Sequence, residues 1–81
     1  NFEHLLRLDA DYIKIDGSLI KNIVTDDKHR LIVETIVSFA RRIGIKTVAE
    51  FVSDEKILQT IKEIGISCAQ GYHIGKPETL V

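Results

Sequence analysis

Apolar residues recur along the chain with two different spacings. Over 28–43, Ile32, Ile36, Phe39, Ala40 and Ile43 follow a helical period, while Arg30, Glu34, Arg41 and Arg42 lie largely off that stripe. This predicts an amphipathic helix whose inward face is that stripe. Thr25, Asp26 and Asp27 offer capping oxygens and favourable charge at its start. Arg41 and Arg42 suit its end, and Gly44 can close it in the left-handed conformation. A second helix is predicted from about Asp54 to Ile64, with Ile57, Leu58, Ile61 and Ile64 facing inward. Ser53 is its expected N-cap, Asp54 and Glu55 fill the first turn, and Gly65 ends it.

Each helical pattern runs directly into a short apolar strand, IGIKTVAE after the first and IGISCAQ after the second. Before them, YIKID at 12–16 reads as a strand that leads through the turn GSLIKNI into the first helix. Strands alternating with helices of this length predict right-handed crossovers and a parallel α/β sheet. Pro77 follows the last strand, so PETLV is expected to begin a terminal turn of helix. The opening FEHLLRL reads as the tail of a helix. Since the chain contains no Met, a portion of a longer domain is expected.

All three strands finish on a polar group. YIKID brings Lys14 and Asp16, TVAE ends at Glu50, and ISCAQG runs into Gln70. In parallel α/β architectures, ligands sit at the carboxyl ends of the strands and catalytic groups come from several of them. One such residue is best explained as part of a structural ion pair, Lys14 with Asp16 or Glu50. Three strands doing it together point to a site.

Composition narrows the class without naming a function. With 44% hydrophobic and 28% charged residues and a net charge of -1, the 81 residues describe a globular chain with no electrostatic footprint for nucleic acid. No apolar run reaches the roughly 18 residues of a membrane span. The single Cys68 excludes a disulfide framework and predicts a reducing, cytoplasmic compartment.

DYIKIDGSLI, TVAEFVSDEK and AQGYHIGKP, in this order and at these separations, resemble the C-terminal third of EAL domains, the bacterial cyclic di-GMP phosphodiesterases. The similarity covers essentially all 81 residues, which identifies 1–81 as a C-terminal portion of one such domain. The resemblance implies a TIM-like (β/α)8 barrel, of which about three parallel strands lie here. It implies hydrolysis of cyclic di-GMP to the linear dinucleotide by a water activated by divalent metal, Mg or Mn. On that pattern Lys14 lies beside the attacking water, Asp16 and Glu50 belong to the metal and water site, and Gln70 completes the pocket near the scissile phosphate. Tyr72 beside it is a candidate substrate contact, set against a plain packing role.

The sequence also departs from the family pattern. The motif A-E-G-V-E appears as AEFVS, with Phe51 for the glycine and Ser53 for the second glutamate. Phe51 is expected to pack over the loop, with contact to a guanine base as the alternative. Ser53 removes a carboxylate, which raises the competing function: a degenerate domain that binds the dinucleotide or a protein without hydrolysing it. Asp16 and Glu50 are too few oxygens to define a magnesium or manganese site, so the 81 residues alone are expected to be inactive. A third reading makes Lys14 a Schiff-base lysine, which Asp16 and Glu50 beside it disfavour. His4, His29 and His73 lack ligand spacing. Finally, Ile13, Ile15, Val48 and Ala69 are expected on the sheet face that would line a barrel, where their exposure predicts self-association of the isolated chain.

Overall fold

The computed structural model describes residues 6–8, 11–71 and 75–80. Five strands form one sheet in chain order: β1 (Leu6–Leu8), β2 (Tyr12–Ile15), β3 (Lys46–Ala49), β4 (Cys68–Gly71) and β5 (Gly75–Thr79). The central β2, β3 and β4 are parallel. The crossover from β2 to β3 contains α1 (Gly17–Ile20) and α2 (Asp27–Ile43), and that from β3 to β4 contains α3 (Glu55–Ile64). Three parallel strands alternating with helices are the expected α/β pattern.

Both outer strands correct an expectation. Leu6–Leu8 is a strand antiparallel to β2 rather than the end of a helix, and residues 1–5 lie outside the described ones. Gly75–Thr79 pairs antiparallel with β4, so no helical turn starts at Pro77. The physical reason is common to both. The outer edges of β2 and β4 carry backbone groups that need partners, and an antiparallel neighbour supplies them. Pro77 is tolerated because β5 is itself the outermost strand.

Alternation along the strands sorts the side chains. Ile13, Ile15, Ala49 and Ala69 belong to the core shared with the helices, together with Val33 and Val37 of α2 and Ile57 and Ile61 of α3. Ile15, Ala49 and Ala69 stand in register across the three parallel strands. Tyr12, Lys14, Cys68 and Gln70 are half-buried on the other face, with Val48 buried among that set. The placement of Ile13, Ile15 and Ala69 on the barrel-lining face is therefore corrected, because residues two apart share a face and these have the parity opposite to Lys14. The one buried polar residue among those described, Thr47, is satisfied by Ser67. The Ser67 N–H donates to Thr47 Oγ1 at 3.2 Å and the Thr47 N–H donates to Ser67 Oγ at 3.4 Å.

The face of α2 also differs from expectation. Ala40 is buried as expected, but its buried companions are Val33 and Val37, whereas Ile32, Phe39 and Ile43 are exposed and Ile36 only borders the core. The opposite flank is charged. Arg30 Nε donates to Glu34 at 3.2 Å and Arg30 Nη1 approaches Glu63 of α3 at 3.7 Å, so the charged flank faces α3 and the apolar one faces outward. The helix ends are set by local signals. Gly44 (φ 78°) and Gly65 (φ 97°) close α2 and α3 as expected. Asp26 caps α2, accepting from the Lys28 N–H at 2.9 Å. Contact with His29, followed by that amide, holds its carboxyl below the ordinary value of 3.8. For α3 the cap is Asp54, whose carboxylate accepts from the Ile57 N–H at 2.8 Å, and not Ser53. An extended Asp one residue nearer the first turn reaches the amides directly.

Candidate active site at the strand ends

Because Ile15, Ala49 and Ala69 are in register, the next residue of each strand comes to one edge. These are Asp16, Glu50 and Gln70, and all three are half-buried. Lys14 precedes Asp16 by two positions and shares its side of β2, in register with Val48. The structure thus gathers at the C-terminal end of the sheet the four residues singled out by sequence. Tyr72 and His73 lie outside the described residues, as does His4.

The backbone fixes this edge tightly. The Glu50 N–H donates to the Ile15 carbonyl at 3.0 Å, and the Val52 N–H donates to the Gln70 carbonyl at 2.9 Å. The segment after β3 is therefore tied to both neighbouring strands. Asp16 has a structural task as well: its Oδ2 accepts from the Ser18 N–H at 2.8 Å and caps α1. Within GSLIKNI, where the sequence predicts a turn, the first four residues form this short helix.

Between the two ties stands Phe51, whose backbone is left-handed (φ 59°) and whose side chain is 67% exposed. Sequence reasoning assigned it a packing role and missed the backbone. The available signal was that the family motif has glycine there, the residue that adopts this conformation without strain. Both flanking glycines answer to the same segment. A Cβ on Gly17 would lie 2.6 Å from Phe51 Cβ, and one on Gly71 would lie 2.3 Å from the Val52 nitrogen. Gly71 thus leaves room for the backbone of this segment to pass close by.

Chemically the edge offers two carboxylates, an ammonium and an amide on adjacent strands. The carboxylates of Asp16 and Glu50 suit a hard divalent cation, yet among the described residues no three His, Cys, Asp or Glu come together around a metal position. They fit as part of a ligand set. An open cavity of about 340 Å³ lined by Asp11, Tyr12, Gly44 and Lys46 lies at the opposite end of the strands and contains none of these groups.

Comparison with known proteins bears on what this edge belongs to. The EAL domain family model matches residues 1–77. The chain belongs to the EAL domain family. It is 44% identical over 80 residues to the cyclic di-GMP phosphodiesterase PdeB of Shewanella oneidensis, a match that covers 99% of this chain and 9% of PdeB. Among solved structures, an EAL domain protein from Listeria monocytogenes EGD-e superposes with a TM-score of 0.79 at 32% identity, over 90% of this chain and 30% of that one. A standalone EAL protein from Vibrio cholerae O395 in its c-di-GMP bound form gives a TM-score of 0.77 at 27% identity, over 86% and 30%. The chain thus spans about a tenth of the first relative and under a third of these EAL structures. No described helix is long and apolar enough to cross a membrane.

Proposed function

We propose that these residues form the C-terminal part of a cyclic di-GMP phosphodiesterase domain, in which the strand-end groups take part in hydrolysis to the linear dinucleotide. The observation that carries this reading is the convergence of Lys14, Asp16, Glu50 and Gln70 on one edge of three parallel strands, in a chain 44% identical to a phosphodiesterase of that specificity. A divalent cation, Mg or Mn, would supply charge neutralisation and an activated water, with Asp16 and Glu50 among its ligands. The Lys14 ammonium donates to a phosphoryl oxygen or orients the water. Gln70 holds a water or phosphate oxygen through its amide and cannot act as a base. Tyr72, outside the described residues, is proposed as a further substrate contact. A cytoplasmic setting belongs to the same reading.

Glu50→Gln in the parent protein is expected to cut hydrolysis at least ~100-fold, the range for removing one positioned electrostatic or acid–base group. Wild-type turnover would remove Glu50 from the site. A second reading, binding without hydrolysis, draws on Ser53, an exposed hydroxyl where the family pattern has a carboxylate. A parent that binds cyclic di-GMP but turns it over only after Ser53→Glu would establish it.

The 81 residues alone are expected to be inactive and to self-associate. The surface that supports association is now the outer flank of α2, with Ile32, Phe39 and Ile43 between 45% and 57% exposed. Sedimentation at micromolar concentration checks this, and a monomer would contradict it.

A further inference from the structure

The turn after β3 combines three facts that packing alone does not explain. Phe51 carries a Cβ in a left-handed backbone, which only glycine adopts freely. Its side chain is 67% exposed, so little burial compensates that strain. Its neighbours on both sides are fixed: the Glu50 amide to β2, the Val52 amide to β4, and the Val52 side chain fully buried in the core. Strained backbone that persists under such constraints is concentrated at functional sites.

We infer that the left-handed turn at Phe51 positions Glu50, and that Gly17 leaves the room this turn needs when its residue is Phe51; this rests on the reaction proposed above. The three nearest atoms to a Cβ built on Gly17 all belong to Phe51, at 2.6, 2.9 and 3.1 Å. Gly17 follows Asp16, the other carboxylate of the edge. The absence of a side chain at 17 lets Phe51 seat against the start of α1. The left-handed turn sets the peptide between Glu50 and Val52, and with it the direction in which Glu50 leaves β3, so a side chain at 17 that pushes Phe51 aside would disturb that direction. Small displacements of a reacting group cost rate steeply, so the effect belongs in turnover rather than in substrate affinity.

The test uses the intact parent enzyme with cyclic di-GMP. Gly17→Ala forces Phe51 aside and is expected to lower kcat by at least about tenfold, with KM changed by less than about threefold. Adding Phe51→Gly removes the clash and keeps the left-handed turn, so the double variant is expected to recover most of that loss. Phe51→Val provides an independent reading, because a β-branched residue resists the left-handed backbone. It is expected to lower kcat more than Phe51→Gly does, the reverse of the order that a purely apolar packing role would give. Equal kcat in Gly17→Ala and wild type, no recovery in the double variant, or a Phe51→Val enzyme more active than Phe51→Gly would each overturn the inference while leaving the proposed reaction intact. A wild-type parent without hydrolysis would overturn both.

Discussion

On the helix side of the sheet, Ile13, Ile15, Ala49 and Ala69 are at most 6% exposed, while on the opposite side Tyr12, Lys14, Cys68 and Gln70 keep partial contact with solvent. The same strands and register serve both faces. The helix side holds aliphatic groups, whose removal leaves voids that close-packed surroundings cannot fill. The other side ends in groups able to bind and polarise a ligand. Alternation along each strand therefore separates the groups that stabilise the fold from those proposed to perform chemistry, and the separation is as fine as one residue.

The sharpest way to break that comparison is to truncate neighbouring positions of β2 in the parent protein. Ile15 is fully buried, so Ile15→Ala is expected to cost about 2–5 kcal/mol by chemical denaturation. Lys14→Ala is expected to change stability by only about 0.5 kcal/mol or less, while turnover falls ~100-fold. Equal destabilisation by the two would show that the faces are not distinct in the way described.

A smaller effect sharpens how the helix side is held. Asp54→Ala removes the carboxylate that accepts from Ile57 and is expected to cost about 1 kcal/mol, against less than about 0.5 kcal/mol for Ser53→Ala. The reverse order in denaturation midpoints would return the cap to Ser53.

The smallest expected effect is at Asp26. Its carboxyl is held below 3.8 in the folded chain, first by His29 and then by the Lys28 amide. The stability it contributes is present above that ordinary value and is lost as pH falls through the lowered one. Asp26→Asn is therefore expected to flatten slightly the loss of stability on acidification below about pH 4. An unchanged acid limb in the pH–stability curve would assign that loss to other carboxylates.

What could be read from sequence was what depends on near neighbours. The glycine closures at 44 and 65, the helix–strand alternation and the polar strand ends are written within a few residues of where they act. The inward face of α2 was not. Ile32, Ile36, Phe39, Ala40 and Ile43 form one apolar stripe and Val33 and Val37 lie beside it with Ala40 at the shared border, and a wide apolar arc does not state where its centre points. Its centre is decided by packing with other elements, where Val33, Val37 and Ala40 join Ile57 and Ile61 in one core. The edge strands were missed for a related reason, since a strand there is specified by the unpaired backbone of β2 and β4 as much as by its own residues. At the site, Lys14, Asp16, Glu50 and Gln70 were legible as residues. The left-handed turn at Phe51 was not, because its side chain argues against the backbone that the two ties require.

The close approach of Phe51 to Gly17 also constrains the order in which this surface can change over descent. No positive φ demands glycine at 17; the three nearest atoms to a Cβ there, at 2.6 to 3.1 Å, all belong to Phe51 and disfavour one. A lineage that first acquires alanine at 17 meets that collision at once. One that first exchanges Phe51 for glycine opens the space, and alanine can then follow. The two substitutions reach the same end by routes of unequal difficulty, so the residue at 51 decides whether 17 accepts a side chain.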